Sequence, residues 1–402
     1  MKSKFLNGLA IALFIIGMPI VSEAAVSQGG EELTKETLEG SSVTESRFVK
    51  DEVIVKFNET VSNKVQQELL KKLDAKELPD LDAVKSPFKI LKVKNVEAVV
   101  KALNNNPNVA YAEPNFKFNV AWSPNDTYFS PNYQYGLFHT YANTAWDVAK
   151  GSTGQEIAVL DTGVDYNHAD LDGKTILGYD FVDQDYTPND LNGHGTHVAG
   201  IAAAETNNGV GIAGMAPNTR ILAVRVLDAR GSGSLANVAD GIRFAADNGA
   251  EVINLSLGCD CNTTTLENAV NYAWNKGAVI IAAAGNDGVS TTFEPASYAN
   301  VIAVGATDRN DRKASFSNYG TWVDVMAPGV DIASTYPNNR YVYLSGTSMA
   351  SPYVAGLAGL LTGQGKNNSQ VRAAIQNTAD TIPGKGTYFK YGIINAFDAV
   401  NY

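Results

Sequence analysis

The chain has 402 residues, of which 45% are apolar and 18% charged, with 36 glycines and a net charge of −11. That length is enough for two or more domains with buried cores. The composition excludes a disordered or low-complexity chain, and the acidic balance argues against nucleic acid as a partner, since phosphate binding draws on basic surface.

Lys2 and Lys4 precede an apolar run from Leu6 to Val21, and Ser22-Glu23-Ala24 follows it. This is the layout of a secretory signal over residues 1–24, cut after Ala24. The run is short for a membrane span, and no later stretch is long and apolar enough for one. A secreted, extracellular product without stable membrane association is therefore expected. Residues 25–47 are polar and read as a flexible leader. From Phe48 the texture changes. Strands are expected at 52–57, 88–93 and 109–114, with helices at 62–73 and 96–103, where Val65, Leu69, Leu70 and Leu73 recur at helical spacing. The order β-α-β-α-β suits a small α+β domain of the split βαβ, ferredoxin-like kind. A polar, aromatic passage from Asn115 to Asn132 suggests a domain boundary.

The charge is uneven. Residues 122–402 hold 26 acidic and 15 basic side chains, and 21 of those acids are Asp, a short side chain suited to turns and calcium. Apolar runs at 157–160, 221–227, 252–257, 278–284, 301–306 and 323–327 lack polar alternation, as strands of a parallel sheet covered on both faces do. Helical stretches at 194–205, 235–248 and 265–276 lie between them, the last two followed by Gly249 and Gly277 as C-terminal caps. The expected fold is α/β, a doubly wound and mostly parallel sheet with helices on both faces. Ligands of such sheets bind beyond the carboxyl ends of the strands.

Three groups that can do acid–base or nucleophilic chemistry stand at element ends. Asp161 closes the run 157–160, His194 opens a helix in Asn192-Gly193-His194-Gly195-Thr196-His197, and Ser348 lies in Gly346-Thr347-Ser348-Met349-Ala350-Ser351-Pro352, ahead of an apolar helix at 353–361. Singly, each reads as a cap or turn residue. Together, in the order Asp, His, Ser, these blocks resemble the three signatures of the subtilisin (subtilase) family. Trp274-Asn275-Lys276-Gly277 and Ser315-Phe316-Ser317-Asn318-Tyr319-Gly320 point to its thermitase-like, thermostable branch.

The resemblance implies a serine endopeptidase of broad specificity acting on proteins and peptides, expected to be a monomer. Ser348 would be the nucleophile and His194 the base, with Asp161 orienting the imidazole. Asn286 would donate to the oxyanion beside the Ser348 N–H. Ser256, Leu257 and Gly258 would pair with substrate backbone as an added strand. Ala283, Gly285 and Asn286 would line the first specificity pocket. Gly258 and Gly285 suggest a roomy pocket, and hence large apolar side chains before the cut. His197 would pack or hydrogen-bond locally, and His139 and His168 have no catalytic context. Residues 48–118 would be the inhibitory and folding part of a propeptide spanning 25–121, and 122–402 the mature peptidase.

The same resemblance implies Ca²⁺ at two sites. The first would use Asp126, Asp170 and Asn208 with the carbonyls of Glu205, Val210 and Ile212. The second would use Asp180, Asp183, Asp185, Thr187 and Asn189. A third, weaker cation site would lie near the carbonyls of Ala296, Tyr298 and Val301. Cys259 and Cys261, one residue apart, directly follow Gly258. They either close a very small disulfide ring at the cleft rim or remain two thiols.

Overall fold

The structure, a computed structural model, describes residues 48–79, 86–116 and 122–402. The expected signal, the polar leader and the expected processing point after Ala121 lie outside the described residues. Two compact units divide between Val120 and Ala121, each with its own core.

The first unit runs β1 (Phe48–Phe57), α1 (Asn63–Lys72), β2 (Lys76–Glu77), β3 (Lys89–Lys92), α2 (Val96–Asn104) and β4 (Val109–Phe116). Its antiparallel sheet has the ferredoxin-like order β2-β3-β1-β4. Alternate residues Val53, Val55 and Phe57 of β1 pack with Leu70 of α1 and with Val96, Val99 and Leu103 of α2, the two-residue strand period meeting the helix period. Strand β2 was not expected. Two charged residues carry no alternation, and they are held as a strand by pairing with Lys92 and Leu91.

The second unit begins with α3 (Tyr135–His139), α4 (Ala142–Ala145), β5 (Glu156–Asp161), β6 (Thr175–Asp180), α5 (His194–Ala203) and β7 (Arg220–Arg225). It continues with α6 (Leu235–Asp247), β8 (Val252–Leu255), α7 (Thr264–Asn275), β9 (Val279–Ala283), β10 (Val301–Thr307) and β11 (Val325–Pro328). The hairpin β12 (Ile332–Tyr336) and β13 (Arg340–Leu344) leads into α8 (Thr347–Gly363), α9 (Asn368–Asn377), β14 (Gly392–Ile393) and α10 (Ala396–Val400). Eight strands form one sheet, β14-β11-β10-β9-β8-β5-β7-β6, in which every pairing is parallel.

Successive residues of the central strands enter opposite cores. Ile157 and Val159 of β5, and Val279 and Ile281 of β9, face the core that holds α5 and α8. Ala158, Leu160, Ile280 and Ala282 face the core of α6 and α7. Both faces are apolar, which is why the sequence shows continuous runs there. Helix α8 is buried almost all round, so its apolar residues form no single stripe. It approaches α5 closely at Gly356, where a Cβ would lie 2.7 Å from the Ala202 carbonyl oxygen. Several strand runs are bounded differently from expectation. β7 stops at Arg225, β8 at Leu255 and β9 at Ala283, while β11 starts at Val325. Helix α8 begins at Thr347, so Ser348 lies inside its first turn instead of ahead of it.

Candidate active site

Strands β9, β8 and β5 are neighbours in the sheet, and their carboxyl ends place Asn286, Ser256 and Asp161 along one edge. The chain runs from β5 to β6 and β7 on one side and then crosses to β8 on the other. The edge is thus a topological switch point, where sites of such sheets form. Helices α5 and α8 bring His194 and Ser348 on their first turns.

Asp161 is fully buried. Its Oδ1 accepts from the Thr162 N–H at 2.7 Å and from His194 Nδ1 at 2.7 Å. The carboxylate therefore sets the tautomer with the proton on Nδ1, leaving Nε2 with its lone pair free. Asp161 Oδ2 has no partner among the described residues, so the imidazole is the group that offsets this charge. Burial pushes the His194 pKa down. The Asp161 charge and hydrogen bond, with the charge of Asp190, outweigh burial and raise it above the ordinary histidine value. His197 differs. Burial drives its pKa to about 3, and its Nε2 contacts the Val342 carbonyl at 3.2 Å. It is a neutral packing residue, as expected.

Asp190 was not foreseen in the sequence. It is buried, and five donors converge on it. Thr162 Oγ1 and the N–H groups of Asn192 and Gly193 reach one oxygen; the N–H and hydroxyl of Thr196 reach the other. Thr162 Oγ1 in turn accepts from the Gly195 N–H at 3.0 Å. This carboxylate joins the end of β5 to the start of α5, and so holds Asp161 and His194 in register, at a helix end that favours anions. The signal available was an Asp four residues before a helix-start His, too common a pattern to single out.

Pro352 lies four residues after Ser348 and has no N–H, so the Ser348 carbonyl receives no helical hydrogen bond. Ser256 Oγ donates to that carbonyl at 2.8 Å, and Ser348 Oγ donates to the Ser256 carbonyl at 3.1 Å. Behind this reciprocal pair, Asn254 Nδ2 donates to Ser256 Oγ and Ser351 Oγ donates to Asn254 Oδ1. No hydrogen bond joins Ser348 to His194 among the described residues. His194, Ser256, Leu257 and Gly258 line one cleft of about 660 Å³, together with Cys259 and Cys261. These two cysteines are disulfide-bonded, with Cα atoms 5.2 Å apart. Asn286 Oδ1 accepts from the N–H and hydroxyl of Thr347, which leaves its amide nitrogen as the free end.

Beside Gly258 and Gly285 the structure places a ring and an amide. A Cβ on Gly258 would overlap the ring of Phe293, and one on Gly285 would lie 3.1 Å from the same ring and overlap Asn318 Nδ2. At both positions the missing side chain admits a close neighbour, and Gly258 also borders the cleft. Ala283 is buried at the end of β9.

The proposed calcium ligands separate into different environments. Asp126 and Asp170 are both buried and neither forms an ion pair among the described residues. Burial raises both carboxyl pKa values, and at Asp126 the charge of Asp170 adds to the rise. Asp126 accepts from the N–H groups of Asn207 and Asn208, and Asp170 from Asn208 Nδ2, the Ile212 N–H and the Tyr341 hydroxyl. No described residue donates to the carbonyls of Glu205, Val210 or Ile212. A buried anionic pair beside unclaimed carbonyls fits a hard cation. In the second set, Arg225 already lies on both Asp180, at 2.6 Å, and Asp183. Asp185 there accepts from the N–H and hydroxyl of Thr187, and Asn189 sits with its carbonyl beside Gly163. In the third set, the Tyr298 carbonyl accepts from the Val301 N–H and the Val301 carbonyl from Arg372, and Ala296 is buried. No group of three or more His, Cys, Asp or Glu gathers as a metal site among the described residues.

The arrangement defines the class. Residues 152–393 match the Subtilase family, and the chain belongs to that family of serine proteases. Residues 36–115 match the Fervidolysin N-terminal prodomain. The chain is 66% identical over its full length to the whole of the thermophilic serine proteinase of Bacillus sp. (strain AK1). Over 70% of its length it is 59% identical to the whole of thermitase of Thermoactinomyces vulgaris. A solved structure of proteases from Pseudoalteromonas arctica matches with TM-score 0.64 and 33% identity, over 70% of this chain and 99% of that one.

The raised His194 pKa sets a pH expectation. A base must be neutral to act, so kcat/KM is expected to fall as pH drops through the His194 value, with a midpoint above the ordinary value of about 6.5. A pH–rate profile on a peptide substrate checks this; a midpoint below about 6 would contradict the Asp161 and Asp190 influence.

Proposed function

We propose that the chain is the precursor of a secreted, thermostable serine endopeptidase of broad specificity. Asp161, His194, Ser348 and Asn286 carry its chemistry. The observation that supports this most is the 2.7 Å bond from the buried Asp161 to His194, on the strand edge to which Ser256 also ties Ser348.

In this reading the Ser348 hydroxyl turns from the Ser256 carbonyl to His194 Nε2. The base takes its proton as Oγ attacks the scissile carbonyl. The oxyanion that forms accepts from the Asn286 amide and from the Ser348 N–H, a first-turn donor with no intrahelical acceptor. The imidazolium, stabilised by Asp161, passes its proton to the leaving amine, the C–N bond breaks, and an acyl-enzyme remains. Water, deprotonated by the same base, then releases the acid and regenerates the serine. Substrate backbone pairs along 256–258 as an added strand.

The N-terminal unit would act as an intramolecular inhibitor and folding aid, released by cleavage near Ala121. At the first ligand set, Asp126, Asp170 and Asn208, with the carbonyls of Glu205, Val210 and Ile212, would hold Ca²⁺. The ion would neutralise the buried carboxylates and link three loops. At the second set calcium would have to compete with Arg225, whose guanidinium already supplies positive charge, and Arg372 has the same bearing on the third.

A fluorophosphonate probe is expected to label Ser348 of the processed enzyme in calcium-containing buffer and to abolish cleavage of casein. An unlabelled Ser348 in folded, processed protein would end the protease reading. Asn286→Ala should lower kcat by about 10²–10³ with little change in KM; that magnitude is one measured for such a donor in this same family. Chelation with EDTA should lower the melting temperature, and Asp170→Asn should remove most of that difference. Binding to the native state alone stabilises by mass action. Equal melting temperatures with and without chelator would refute a calcium role.

A further inference from the structure

Beyond the ends of β8 and β9 the chain continues as two adjacent segments, 256–258 and 284–286, and the first turn of α8 is bound to both. Ser348 Oγ reaches the Ser256 carbonyl at 3.1 Å, and the Thr347 N–H reaches Asn286 Oδ1 at 2.8 Å. The slot between these segments is therefore the space beside an acyl group on Ser348. Gly258 stands on one wall and Gly285 on the other.

One ring touches both walls. A Cβ at Gly258 would overlap Phe293 Cε1, and a Cβ at Gly285 would meet Phe293 Cδ1 at 3.1 Å. The backbone that carries this ring is held on each side. The Ser297 N–H donates to the Phe293 carbonyl at 3.1 Å, and Glu294 exchanges two 2.9 Å hydrogen bonds with Cys259. Cys259 is itself bridged to Cys261, and the buried Glu294 accepts from Ser297 Oγ at 2.8 Å. With the main chain held at these points, rotation of the side chain is the way to clear the slot.

We infer that Phe293, and not the two glycines, sets the size of the pocket for the residue preceding the scissile bond, and that it biases the enzyme toward small side chains there. Alanine and serine enter without displacing the ring. Leucine and phenylalanine must push it off both glycine walls, losing its packing contacts in a space that is already filled. The inference rests on Ser348 being the nucleophile.

The test uses processed enzyme from the full chain and internally quenched peptides that differ only in Ala, Leu or Phe before the cut. Fluorophosphonate titration counts competent active sites, so that a poorly folded variant is not mistaken for a selective one. Wild type is expected to favour Ala over Phe in kcat/KM. Phe293→Ala should raise the Phe-to-Ala ratio by more than about tenfold, the scale on which pocket size discriminates apolar side chains. Phe293→Leu, which retains an apolar side chain, should move it the same way by less. Wild type that already favours Phe, or a ratio unchanged in both titrated variants, would overturn the assignment of Phe293 while leaving the protease intact. Failure of wild type to be labelled and to cleave any of the peptides would remove the catalytic reading and this one with it.

Discussion

Every part of the proposed catalytic edge depends on one buried carboxylate being paired and aimed. Asp161 has no access to solvent, and a charge in that position is costly unless it is paired and hydrogen-bonded. The imidazole of His194, 2.7 Å away, provides the pairing and is itself oriented by it. The contact requires the end of β5 and the start of α5 to meet in fixed register. Asp190 secures this by gathering donors from Thr162, Asn192, Gly193 and Thr196. A second acid thus anchors the first without touching the imidazole.

Ser348, the proposed nucleophile, is held by a different device. A proline inside a helix ordinarily weakens it by removing a hydrogen bond. Here the carbonyl freed by Pro352 belongs to Ser348 and is taken up by Ser256, the first residue beyond β8. A local defect in α8 therefore becomes a tertiary link between the helix and the sheet edge. The same edge continues to the disulfide at 259–261 and, through Glu294, to Phe293. The cleft rim and the backbone carrying Phe293 share one support.

The aspartates show how little composition says about role. Asp126 and Asp170 are buried beside carbonyls that no described residue claims, whereas Asp180 and Asp183 close on Arg225. Both sets are short acids and look equivalent in a list of residues. Arg225 is 40 or more residues away in the chain, and only the pairing of β6 with β7 brings it between them.

What the sequence determined by itself was whatever is encoded locally. The apolar runs of β5 and β7–β10, the caps at Gly249 and Gly277, and the signature blocks around Asp161, His194 and Ser348 all lie within short stretches of chain. The family and the α/β architecture followed from them. Tertiary structure alone decided the rest. Strands β2 and β14 are two residues long and exist because neighbours pair with them. Asp190 acquires its position from donors spread over two elements. The ring that lies beside both Gly258 and Gly285 belongs to Phe293, a residue from a separate loop. Local pattern reports backbone periodicity and chemical type; which side chain occupies a given space is settled by contacts between segments that the sequence keeps far apart.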